Sequence, residues 1–196
     1  MVLIFSHFYF CYIVISYFCG ICLASQVGIT KESDSAWYAK KLASNETRTF
    51  TSSIVHVLRL APNEDLLESL WKYARVKEIN AASIVSTVGS LKQFNIRYAN
   101  QEEGEMKKGH FEIVSLVGNI DFQDVDNPNY VPSGHVHISV ADESGSGFGG
   151  HLLSGNLIYT TAEITLLEIK DGIFTRRIDD GADGSGYAEL QVLNKL

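Results

Sequence analysis

Three histidines lie close together in the chain: His135 and His137 within Gly134-His135-Val136-His137-Ile138-Ser139-Val140, and His151 fourteen positions after His137. In an extended strand alternate side chains share a face. Val136, Ile138 and Val140 therefore point toward a core, and His135, His137 and Ser139 point the other way. The intervening Asp142-Glu143-Ser144-Gly145-Ser146 has turn chemistry. A three-residue hairpin loop commonly has two helix-like residues and then a left-handed one, usually glycine. Glu143, Ser144 and Gly145 fit that pattern and put His137 directly opposite His151, with Cβ atoms about 4.5–5.5 Å apart. A two-residue loop at Glu143-Ser144 would slip the register by one and send His151 to the opposite face.

Three neutral imidazoles on one strand pair form a candidate site for zinc or iron, with one coordination position left open. The competing reading is that they are interface histidines, hydrogen-bonded across subunits or to backbone. No HExxH and no pair of CxxC motifs accompanies them: the three cysteines, Cys11, Cys19 and Cys22, all lie near the N-terminus, where Cys19 and Cys22 form a single CxxC. Candidate general bases for such a centre are Glu163, in Thr160-Thr161-Ala162-Glu163 where a strand is expected to begin, and Glu112. Either could equally be a structural hydrogen-bond acceptor. Ser139 lacks a nucleophile-elbow pattern. Gly147-Phe148-Gly149-Gly150 lacks the lysine of a phosphate loop, so its glycines are read as allowing close backbone approach. His56 and His110 are isolated and read as structural or exposed.

The elements that must position these residues follow from periodicity. Ile54 to Leu60 reads as a first strand, ended by Pro62. A helix of about 15 residues follows, with Asn63 as candidate N-cap, Glu64 and Asp65 at its positive end, and Leu66, Leu67, Leu70, Trp71 and Ala74 as its apolar stripe. Ala82 to Val88, closed by Gly89, reads as a strand, and Leu91 to Tyr98 as its hairpin partner. After a charged loop from Asn100 to Lys108, Phe111 to Ile120 reads as a central strand. Asp121 to Ser133 is a loop. Further strands are expected at His135–Ala141, Gly149–Leu153, Ala162–Ile169, Ile173–Ile178 and Tyr187–Leu193. The class is α+β: a mixed, mainly antiparallel sheet of about seven or more strands with one principal helix. One helix cannot cover both faces of such a sheet. Either the sheet curls on itself, or its bare face packs against another subunit.

Composition bounds the rest. The 196 residues suit one domain, and the net charge of −7 lacks the basic field that phosphate backbones attract, which argues against sequence-independent DNA or RNA binding. Residues 1–24 carry no Lys, Arg, Asp or Glu, and 20 of the 24 are hydrophobic. They read as a signal peptide, as an uncleaved membrane anchor, or as a misassigned start, since no basic residue precedes the apolar run. A cleaved signal implies export to the secretory pathway or outside the cell, with Asn45-Glu46-Thr47 as a glycosylation sequon; otherwise the chain is intracellular. Residues 25–52 read as a polar linker or arm with a helical turn around Trp37 to Leu42, and the domain spans 53–194.

Four ordered motifs resemble the plants-and-prokaryotes conserved (PPC) domain: Gly109-His110-Phe111-Glu112-Ile113-Val114-Ser115-Leu116, His135-Val136-His137, Gly149-Gly150-His151-Leu152-Leu153-Ser154-Gly155-Asn156, and Thr160-Thr161-Ala162-Glu163-Ile164. The resemblance implies an α+β fold assembled as a homotrimer, and a partner-binding stretch at Gly109, His110, Phe111, Glu112, Ile113 and Val114. In AT-hook members of the family that stretch has arginine and leucine where this chain has His110 and Val114. No Arg-Gly-Arg-Pro hook occurs here, so the DNA-binding role does not carry over. Two functions follow. One is a non-catalytic trimeric module binding a protein or small-molecule partner. The other is a metal-dependent enzyme, hydrolytic in character, built on His135, His137 and His151.

Overall fold

The computed structural model describes residues 46–122, 132–181 and 184–195, together with Ala36, Ala39–Lys41, Ala43 and Ser44. The chain divides into two units, Met1–Ser44 and Asn45–Leu196. In the first, Ala36, Ala39–Lys41 and Ala43 are helical, and Ser44, in a turn, donates its N–H to the Lys40 carbonyl at 3.0 Å. Residues 1–24, with the signal or anchor expected there, and the sequon residue Asn45 lie outside the described residues. Among the described residues no helix is long and apolar enough to cross a membrane.

The second unit is built from β1 (Ser53–Leu60), α1 (Leu66–Lys77), β2 (Ala82–Arg97), β3 (Glu105–Phe122), β4 (Pro132–Asp142), β5 (Gly147–Leu152), β6 (Leu157–Ile169), β7 (Gly172–Ile178) and β8 (Ala188–Asn194). The strand order is β1-β6-β2-β5-β4-β3-β7-β8, with β2 also paired to β3. Among the described residues the pairings are antiparallel except for one parallel bridge, Phe122 to Thr175. The extra β2–β3 pairing means that β2, β3, β4 and β5 close a ring, so the sheet curls on itself. One face of that curl and the apolar stripe of α1 enclose a core of Leu66, Leu70, Phe94, Ile96, Leu116, Ile158 and Ile164, all almost fully buried. Phe94, Phe111 and Phe148 pack within the ring, with centroids 4.8 to 6.3 Å apart.

Several elements differ from the sequence expectation. The N-cap of α1 is Asp65, not Asn63. The Asp65 carboxylate accepts from Glu68 N–H at 3.0 Å, while Asn63 sits in a left-handed turn at φ 73°, and the helix has 12 residues. The segment expected as a hairpin is one 16-residue strand, Ala82–Arg97, that continues through Gly89 with a shift of register beside it. A Cβ on Gly89 would lie 2.1 Å from the Thr161 carbonyl oxygen, so glycine there permits close strand approach rather than a turn. The hairpin partner of β2 is β3, which begins at Glu105 inside the expected charged loop. Residues ahead of Ser53 also belong to this unit. Thr51 and Ser52 donate backbone N–H groups to the Asp171 carboxylate at 3.0 and 3.4 Å, and Phe50 packs on Phe174.

Candidate metal centre

The β4–β5 hairpin turns through Glu143, Ser144 and Gly145. Asp142 N–H donates to the Ser146 carbonyl at 3.0 Å, Gly145 N–H donates to the Asp142 carbonyl at 2.9 Å, and Gly145 has φ 82°. Asp142 explains why the turn closes there. Its Oδ1 accepts from Ser144 N–H, Ser144 Oγ and Ser146 N–H at 2.9, 2.7 and 2.9 Å. These bonds, the one from the Ser144 hydroxyl foremost, hold its carboxyl below the usual range. The register that results pairs His137 with His151.

The outward face of β4 and β5 therefore carries all three imidazoles. His135 and His137 are exposed, and His151 is half-buried. One ring nitrogen from each lies within 4.8 Å of the others. His135 Nε2 and His137 Nε2 are 3.1 Å apart, and ring centroids are separated by 4.8, 5.3 and 5.6 Å. Tetrahedral zinc with metal–nitrogen bonds of 2.0–2.1 Å requires ligand nitrogens about 3.3 Å apart. The His135–His137 pair, at 3.1 Å, is already near that spacing, and the third nitrogen lies within 4.8 Å of both. His151 Nδ1 is buried with no hydrogen-bond partner among the described residues. Burial, then the Arg97 charge, hold the His151 pKa down at about 4. Burial, then His137, also lower that of His135. Deprotonated imidazole is the form that ligates a metal, and this donor set suits zinc, copper, iron or nickel.

Neighbouring elements hold the cluster in place. Gly150 lets β5 press against β2: a Cβ there would lie 2.6 Å from the Arg97 carbonyl oxygen. After β5, the buried Asn156 acts as a strand surrogate. Its Oδ1 accepts from Asn95 N–H, and its Nδ2 donates to the Asn95 carbonyl, both at 3.1 Å. Gly155 N–H donates to the Asp65 cap at 2.6 Å, tying this turn to α1. On the other side, the fully buried Asp121 accepts from Arg176 Nε at 2.6 Å and from the Ser133 hydroxyl.

The two carboxylates expected near the site stand elsewhere. Glu163 lies at the middle of β6, not at a strand end, paired with Arg59 and Val88. From β6 to β4 there are three interstrand steps through β2 and β3, about 14 Å of sheet. Glu112 is opposite Ala141, four residues along β4 from His137, or about 13 Å. The six-residue stretch on β3 splits by face. Phe111 and Ile113 enter the core, Glu112 and Val114 face out, His110 stacks on Tyr159 at 4.1 Å, and Gly109 has its open side against the Phe111 ring. His56 is far from being free: Nδ1 meets Tyr73 OH at 3.0 Å and Nε2 meets Glu168 at 2.8 Å.

Sequence reasoning missed Arg97 and the Asp121–Arg176 pair. Arg97 reaches His151 only through the β2–β5 pairing, and Asp121 meets Arg176 across 55 residues. Neither carries a local signal; only the ring closure and the β3–β7 bridge bring them together.

Comparison with known proteins places this arrangement. The Plants and Prokaryotes Conserved (PCC) domain matches residues 47–170. The bifunctional proteins GlmU of two Synechococcus strains are 39% and 37% identical over 139 residues, covering 70% of this chain; the chain spans only 20% of the length of either. Among solved structures, a hypothetical protein from Salmonella enterica superposes with a TM-score of 0.67 at 29% identity, covering 76% of this chain and 100% of that one. A metal-containing protein from Archaeoglobus fulgidus gives 0.57 at 28%, covering 68% and 92%. A plant- and prokaryote-conserved protein from Pyrococcus horikoshii gives 0.58 at 28%, covering 76% and 99%. With the matched region extending from the end of the first unit through β6, the chain belongs to the Plants and Prokaryotes Conserved domain family.

Proposed function

We propose that this chain is a non-catalytic, homotrimeric ligand-binding module whose outer sheet face holds a divalent metal through His135, His137 and His151. The observation that carries the reading is the convergence of three imidazole nitrogens within 4.8 Å on that face. When bound, the metal would supply a Lewis-acidic position open to one further ligand. The residues of this chain orient the three rings, and burial favours the neutral form of His135 and His151. The similar protein from Archaeoglobus fulgidus is a metal-containing one, which agrees with the donor set here.

Self-association is supported by valines that the sheet leaves exposed, both beside the histidines and well away from them. Val57, Val88, Val114 and Val117 are 52 to 75% exposed, and Val117 is the β3 partner of His137. β-branched residues left in water on a sheet face are the usual mark of a surface covered by another chain. A second copy of this chain is the occupant we assign, in a three-fold assembly. The rival reading, metal-dependent hydrolysis with Glu163 or Glu112 as base, is weaker because both carboxylates stand more than a dozen ångströms of sheet from the imidazoles.

Two measurements on tag-free protein test the proposal. Elemental analysis is expected to find about one zinc or iron per chain, and light scattering a mass of three chains. A metal-free protein that cannot be loaded overturns the metal centre. A monomeric mass at working concentration overturns the assembly.

A further inference from the structure

One row across the outer face reads Arg97, His151, His137, Val117, from β2 through β5 and β4 to β3. Register partners on antiparallel strands point the same way, with Cβ atoms about 4.5–5.5 Å apart. The Arg97 side chain therefore starts beside the His151 ring, and its guanidinium is the largest charge acting on that ring. Its fork is anchored: Nη1 donates to the Gln101 carbonyl at 3.1 Å.

The two arginines near the cluster differ in their partners. Arg176 is matched by the buried Asp121 at 2.6 Å. Arg97 takes part in no salt bridge among the described residues. The other acid acting on the cluster is Glu189, which influences His135. Three neutral imidazoles leave the full charge of a divalent cation unbalanced, and Arg97 adds one more positive charge beside it. A site evolved to hold a bare cation gains nothing from that guanidinium, which repels it. An anion in the open position changes the sign of the interaction. The planar fork of arginine matches the oxygens of carboxylate and phosphate groups in a way that a point charge does not.

Resting on the metal-centre reading above, we propose that the ligand completing this centre is an oxyanion, a carboxylate or phosphate group, and that Arg97 is the residue of this chain that receives it. Arg97 is thus a binding residue of the site, and Arg176 with Asp121 is a charge-balanced support.

Cobalt(II) titration of the tag-free full chain comes first, read by visible absorption. Failure to bind cobalt overturns the metal-centre reading itself. The loaded protein is then titrated with inorganic phosphate and, separately, with acetate, using the same absorption bands. Whichever anion shifts the bands identifies the source of the oxygens. In Arg97→Gln, cobalt affinity is expected to be unchanged or higher, and affinity for that anion to fall about ten- to a hundredfold, the value of a charge-assisted contact. Arg97→Lys, which keeps the charge and loses the fork, is expected to fall in between. Wild-type anion affinity in Arg97→Gln, or no response of the loaded wild type to either anion at millimolar concentration, overturns the proposal. Should the glutamine variant not fold by circular dichroism, the lysine variant decides, and an affinity equal to wild type sinks the idea.

Discussion

His56 and the trio of His135, His137 and His151 show two ways in which a β-sheet can hold imidazole. His56 lies on the helix side, with one ring nitrogen on Tyr73 OH and the other on Glu168, whose second oxygen accepts from Lys170 at 2.8 Å. Every polar atom of that ring is spoken for. The trio lies on the outer side, its nitrogens face one another, and His151 Nδ1 has no hydrogen-bond partner among the described residues. A saturated histidine has no ring nitrogen left to offer a ligand, whereas a convergent set with an unpartnered nitrogen has one. Buried polar groups without partners are costly, so His151 Nδ1 carries a cost that neither nitrogen of His56 does.

The sharpest way to break this comparison is to remove one imidazole from each side. His137→Ala should weaken zinc binding by more than about a hundredfold, measured by competition with a chromophoric chelator. In metal-free protein the same change should alter stability by no more than about 0.5 kcal/mol. His56→Ala should do the reverse. It strands Tyr73 OH and half of the Glu168 carboxylate, and should cost about 2–4 kcal/mol in urea unfolding with zinc affinity nearly intact. If both variants lose stability equally, the distinction between the two sets fails.

Acidity separates the two sets next. In metal-free protein His151 titrates at about 4, against 6.5 when unperturbed. As pH falls below 6.5 the unfolded chain takes up the proton first, so stability is full above that value and declines toward pH 4. Glu168 acts in a lower window. Burial opposes its ionisation, but hydrogen bonds from Lys170 and His56 outweigh it and depress its pKa below 4.5. Its contribution is present above 4.5 and is lost as pH drops through the depressed value. His151→Gln should flatten the stability profile between pH 6.5 and 4, and Glu168→Gln should change its shape only below 4.5. Chemical unfolding across that range reads both. The smallest effect belongs to His110, which stacks on Tyr159 at the surface: His110→Ala should change monomer stability by less than about 1 kcal/mol.

The candidate site was more legible in the sequence than the elements around it. The alternation around His135 and His137, together with the Asp-x-x-Gly turn, narrows the register to two choices, because a short hairpin fixes pairing locally, and the observed three-residue turn selects between them. α1 was visible from its stripe, though its cap was displaced by two residues: Asn63 lies in a left-handed turn and accepts from Lys92, while Asp65 accepts from both Glu68 N–H and the distant Gly155 N–H. The long strand β2 was hidden because Gly89 has the same letter whether it bends a chain or lets two chains touch. The curl of the sheet and the placement of Glu163 depend on pairings between distant segments, which no local pattern encodes. For the same reason Arg97 could not be seen beside His151.

The short connection between β4 and β5 works as a parity switch. Removing one residue from it, for instance Ser144, would exchange inside for outside along the whole of β5: His151 would be driven among the core phenylalanines, and Leu152 would be left in water. An arrangement of metal-competent rings on this scaffold is thus conditional on an odd count of three residues, and a lineage or a designer could switch it on or off with a single codon while leaving every imidazole in the gene.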